Sequence, residues 1–83
     1  MSIFATVAIV CTMSQCSDYV IDRATNMTDA GINTAAHTIV YNRVWEDEQG
    51  LTNWLKKYEI DESIFEIVSI DIESQEIKQD DIP

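Results

Sequence analysis

Two hydrophobic periods alternate along the 83-residue chain. Residues 2–12, Ser-Ile-Phe-Ala-Thr-Val-Ala-Ile-Val-Cys-Thr, carry no charge and are apolar at odd and even positions alike. A strand with one wet face alternates apolar with polar, whereas a strand covered on both faces reads as a continuous apolar run. This stretch is therefore predicted as the central strand of a small sheet. From Gln15 to Ala30, Val20, Ile21, Ala24 and Met27 recur at i, i+1, i+4 and i+7, with Ala30 next in phase, which is the spacing of one helical face. Ser14 or Ser17 is available as its cap, Asp18 suits the positive end of its dipole, and Gly31-Ile32 reads as a left-handed terminus with its hydrophobic contact.

Residues 36–45 fit two templates. Thr38, Ile39, Val40, Tyr41, Val44 and Trp45 are β-branched or aromatic, as in a strand. Ile32, Ala35, Ala36, Ile39, Val40 and Val44 also make a helical stripe, but the residue types and the intervening Gly31 favour the strand. Glu46, Asp47 and Glu48 read as a solvated connection ending near Gly50. Leu51, Trp54, Leu55 and Tyr58 then sit at i, i+3, i+4 and i+7, predicting a short amphipathic helix with Lys56 and Lys57 exposed. After a turn at Asp61, Glu62 and Ser63, Ile64 to Glu73 alternates with Val68, Ile70 and Ile72 on one face, predicting an outer strand. Residues 74–83 form a polar, acidic tail anchored by Ile77, which either extends the fold or frays. The expected class is α+β, a single-domain two-layer sandwich over residues 1–83. Its order is β-α-β-α-β, with two helices on one face of a three-stranded sheet; if the first connection is a crossover, it is right-handed.

Composition changes this picture mainly through charge. Fifteen acids face five bases, and they are unevenly spread. Residues 1–45 hold three acids and two bases, residues 46–83 twelve acids and three bases, so −9 of the net −10 lies in the second part. Such a balance speaks to partners rather than to fold: it repels nucleic acid and anionic membrane and attracts a basic surface. Two cysteines are too few for a disulfide scaffold, and no Lys or Arg precedes Arg23, so the apolar start lacks the basic region of a signal peptide. The run is also too short to span a bilayer as a helix. The chain reads as cytoplasmic and soluble, with reduced thiols.

Catalytic and ligand readings are weak. Cys11 and Cys16 with His37 do not have the spacing of a zinc site, and no fourth ligand is evident. Cys16 near a helix start with His37 as its base is formally a nucleophile pair, yet no orienting residue or oxyanion site accompanies it. His37 is read as a boundary residue at the start of a strand. Asp71 and Glu73 share one strand face, but that face looks wet, and a general acid needs a dry pocket. Tyr41, Trp45, Trp54 and Tyr58 near Arg43, Lys56 and Lys57 resemble a single-strand stacking platform. At net −10, core packing by the tryptophans is the better account. No catalytic residue, cofactor or metal is therefore assigned, and the chain is read as non-enzymatic.

The acids remain. On an extended strand Asp71 and Glu73 stand about 6.6 Å apart, close to two phosphate steps of about 3.4 Å on one DNA strand. Glu46, Asp47, Glu48, Glu59, Asp61 and Glu62 extend the array, and these eight residues are the predicted partner-binding set. The expected partner is a basic, nucleic-acid-binding host protein, with no direct contact to nucleic acid or membrane. By type, a short acidic chain without catalytic apparatus is similar to the anti-restriction and anti-CRISPR inhibitors of phages and mobile elements, a likeness that rests on no motif. The alternative is a homo-oligomeric structural or regulatory adaptor, since an apolar second face on the first strand also allows a homodimer.

Overall fold

A computed structural model of the chain describes residues 2–78. It places β1 (Ser2–Thr12) between β2 (Cys16–Ala24) and β3 (Ile67–Lys78), with both pairings antiparallel. Two helices, α1 (Met27–Val44) and α2 (Glu48–Lys57), lie in the chain between β2 and β3. The predicted α+β class, the three-stranded sheet, the two helices and the central β1 all hold. The element order is β-β-α-α-β rather than β-α-β-α-β.

The difference arises at residues 15–45. Thr12 N–H donates to Gln15 O at 2.8 Å, closing a hairpin around Met13 and Ser14, so the first connection is not a crossover and the handedness rule does not apply to it. Cys16–Ala24 runs back along β1, where Tyr19, Val20 and Ile21 are good strand residues. A register shift between Thr6 and Val7 leaves Ile21 without a direct partner. The bulge puts Ile21, which packs on the core, and Asp22, which reaches His37 of α1, on the helix side in succession, so the strand loses its period-two pattern here. Helix α1 starts later, where the Asn26 side chain accepts from Asp29 N–H at 2.8 Å. Gly31 is an interior residue of α1, with no positive φ, rather than a terminal cap. The β-branched stretch at 36–44 completes this helix instead of forming a strand.

Asp47 caps α2 by accepting from Gly50 N–H at 3.0 Å. The far end closes in a Schellman turn: Glu59 N–H donates to Lys56 O and Ile60 N–H to Leu55 O, at 3.1 and 3.0 Å. Leu55 and Ile60, the residues the motif brings into hydrophobic contact, are both buried in the core. Glu59 adopts φ 56°, a left-handed conformation that favours glycine. Ser74–Lys78, expected in the tail, are the end of β3, where Ile77 pairs with Ile3; residues 79–83 lie outside the described residues.

Both helices cover one face of the sheet. Ala8 and Val10 of β1 pack with Trp54, Leu55 and Ile60, ringed by Tyr19, Ile21, Tyr41, Val44, Ile70 and Ile72. Toward the other end of this face the packing is polar. The buried Thr6 hydroxyl lies 3.0 Å from Thr34 Oγ1, which lies 2.7 Å from Ser74 Oγ, joining β1, α1 and β3. The molecule is 17 Å thick in its shortest direction, a dimension that fits one sheet and one helical layer. The expectation that the first strand is covered on both faces is thus corrected. On its open face Ala5 and Val7 are still inaccessible, Val7 being 1% exposed, because the register sets them between Arg23 and Gln75 and between Val20 and Glu73. Trp54 is a core residue as predicted, whereas Trp45 is 49% exposed.

Candidate protein-docking surface

The open sheet face is an apolar strip edged by carboxylates. Ile9 of β1 is paired on one side with Asp18 of β2 and on the other with Asp71 of β3. One step along, Val7 lies between Val20 and Glu73. With strands about 4.8 Å apart, Asp18 and Asp71 stand about 10 Å from each other across the strip. Arg23 is paired with Ala5 toward one end of this face. At the other end Cys11 and Cys16 form a disulfide, which corrects the reading of reduced thiols and removes Cys16 as a nucleophile. Asp18 was missed as a docking residue, because a helix was expected at 15–30; only the hairpin register brings it opposite Asp71.

The other predicted acids fall on two further elements. Glu46, Asp47 and Glu48 are exposed at the α1–α2 junction, where the Asp47 carboxylate is engaged as the α2 cap. Glu59, Asp61 and Glu62 follow α2. Glu62 is half-buried and accepts from the Tyr19 hydroxyl at 3.1 Å. Burial first, then that hydrogen bond and the charges of Glu62 and Asp61, raise the Tyr19 hydroxyl above its usual pKa. Asp61 and Glu62 also edge a groove of about 560 Å³ over Leu55 and Ile60, with Lys56 on its wall. The eight predicted residues therefore form three groups on different elements rather than one row.

A second cluster was invisible in the sequence. His37 Nε2 lies 2.8 Å from Asp22 Oδ2, and the Tyr58 hydroxyl lies 3.2 Å from His37 Nδ1. With the proton on Nε2, His37 donates to Asp22 and accepts from Tyr58, so one neutral tautomer satisfies both bonds. The His37 hydrogen bond, with a smaller contribution from Arg23 N–H, holds the Asp22 carboxyl below its ordinary value against the opposing effect of burial. The rings of His37 and Tyr58 meet edge to face at 5.6 Å. His37 is thus an interior residue of α1 that ties β2 to the end of α2, not a residue at a strand start. Among the described residues no three His, Cys, Asp or Glu side chains are grouped to hold a metal ion, and no helix is long and apolar enough to cross a membrane.

Comparison with protein-family models, with curated protein sequences and with solved structures finds no match to this chain.

Proposed function

We propose that this protein is a non-catalytic acidic binding module whose open sheet face docks on the basic, nucleic-acid-binding surface of a host protein and occludes it. The observation that carries this reading is the row Asp18–Ile9–Asp71, with Glu73 beside Val7, on a sheet face that neither helix covers. Carboxylates at the edges supply long-range attraction, and the half-buried Ile9 with the exposed Val20 supplies apolar contact between them, a division of labour common to electrostatically steered complexes. The net charge of −10 extends the attraction over the whole molecule. The finer assignment, an anti-restriction or anti-CRISPR inhibitor of phage or mobile-element type acting in the host cytoplasm, rests on size, acidity and the lack of an assigned catalytic group.

An adaptor that works as a homo-oligomer is the second reading, favoured by the exposed apolar side of α1, where Ile32 and Ile39 face solvent.

The test uses the triple variant Asp18→Asn, Asp71→Asn, Glu73→Gln, which spares the helix cap at Asp47. Host-cell proteins first retained on heparin are passed over immobilised wild type and variant at low and high salt. Docking predicts retention by wild type at low salt only, loss of retention by the variant, and release of nucleic acid from the captured protein. Equal retention by both proteins at both salt concentrations would exclude the electrostatic reading.

A further inference from the structure

Helix α1 is inverted relative to an ordinary surface helix. The residues that meet the sheet and α2 are small, polar or aromatic: Ala30 is buried, Thr34 and His37 hydrogen-bond to Ser74 and Asp22, and Tyr41 and Val44 border the core. The opposite side carries Ile32, Ala35, Ala36 and Ile39, all exposed, with Ile32 at 63% and Ile39 at 53%. At about 100° per residue these four fall within roughly 100° of the helix circumference, on the side away from the core-facing set. Val40, also exposed, widens the strip. No Asp, Glu, Lys or Arg occurs between Asp29 and Arg43. A contiguous apolar strip left open on a helix marks a surface that a partner covers.

This strip is symmetric about the midpoint of Ala35 and Ala36. Ile32 and Ile39 lie equally far on either side, and the two alanines flank the centre. Near the two ends stand opposite charges, Asp29 and Arg43. A two-fold axis through that midpoint packs α1 antiparallel against a second α1. Ile32 then meets the partner's Ile39, Ala35 meets the partner's Ala36, and Asp29 comes within one residue of the register position facing the partner's Arg43. Small residues at the crossing point let two helices approach closely, and an isologous contact needs this kind of self-complementarity. Elsewhere the net charge of −10 opposes self-association, whereas this strip has no charge of its own and complementary charges at its ends.

We infer that the exposed side of α1 is a self-association surface whose occupant is a second copy of this chain, in an antiparallel two-fold helix pair centred between Ala35 and Ala36. This inference stands whether or not the open sheet face binds a basic protein, since the two surfaces lie on opposite sides of the molecule.

Sedimentation equilibrium of the full chain over a concentration series gives the mass, against 9.4 kDa for one copy. Wild type is expected to be a dimer. Ile39→Glu, at an exposed position, is expected to keep its melting transition and raise the dimer dissociation constant about 100-fold or more, as burial of an unpaired charge requires. Ala36→Cys, beside the two-fold axis, is expected to form a disulfide-linked dimer under mild oxidation, while Thr28→Cys, about 22 Å from its own symmetry mate by helical rise, is not. A monomer at every concentration, or a dimer that survives Ile39→Glu, would overturn the inference. Should Ile39→Glu fail to fold, the two cysteine variants decide: cross-linking at Thr28 but not at Ala36 also overturns it.

Discussion

Asp22 of β2 and His37, in the interior of α1, meet with Oδ2 and Nε2 2.8 Å apart. Fifteen residues separate them, and the bond closes that segment into a fixed turn. Tyr58, at the end of α2, holds the other ring nitrogen. β2, α1 and the end of α2 are therefore joined through one imidazole.

The sign of the pH effect follows from Asp22. Its folded-state pKa lies below the usual carboxylate value, chiefly through the His37 bond. The stabilisation is therefore present above the unfolded-state value near 3.8 and is lost as pH falls through the lower folded-state value. Asp22 is 40% exposed, so solvent screening keeps the effect small. Urea unfolding of Asp22→Asn between pH 5 and pH 2 is expected to show a flatter acid limb than wild type. His37→Phe, which keeps the ring but loses both hydrogen bonds, is expected to cost about 1 kcal/mol at pH 7.

Glu59 occupies the left-handed position of the Schellman turn that ends α2. A side chain there costs about 1–2 kcal/mol, part of which glycine returns as unfolded-state entropy. Glu59→Gly is expected to raise stability by about 0.5–1 kcal/mol, visible as a rise of several degrees in Tm. Glu59→Ala, which keeps the Cβ, is expected to gain nothing from this source. A lower Tm for Glu59→Gly would show that the carboxylate has a structural role beyond its conformation.

The Cys11–Cys16 disulfide closes a short loop, with a sequence separation of 5, over a hairpin already held by the β1–β2 ladder. Loop entropy gives such a bridge about 2 kcal/mol. Cys11→Ser/Cys16→Ser is expected to unfold at lower urea by that amount while keeping the sheet and any docking to a basic partner. Disulfides belong to oxidising compartments, and a cytosolic protein must work without one. Loss of docking in a folded double variant would therefore argue against cytoplasmic action.

Several features were decided by the sequence alone. An uncharged run apolar at odd and even positions alike reads as a middle strand, and residues 2–12 are one, although helices cover only one of its two faces. Leu51, Trp54, Leu55 and Tyr58 converge on one helical face, although the helix starts earlier than expected, at Glu48 with Asp47 as its cap, where a solvated connection was expected. The acidic second half was equally plain, although its grouping into three surfaces was not. Tertiary structure decided residues 15–45. Val20, Ile21, Ala24 and Met27 fit a helix as well as a bulged strand, and the edge of β1, which needed hydrogen-bond partners, selected the strand. Ile39, Val40 and Val44 prefer strands by only tenths of a kcal/mol. That preference yielded to an 18-residue helix whose Ala30, Thr34, His37 and Tyr41 fit the sheet beneath it. The bonds Thr6–Thr34–Ser74 and Asp22–His37–Tyr58 join residues 15 to 40 positions apart, and local periodicity carries no information at that range. Chain reversal and strand register brought these partners together, and only the folded molecule specifies both.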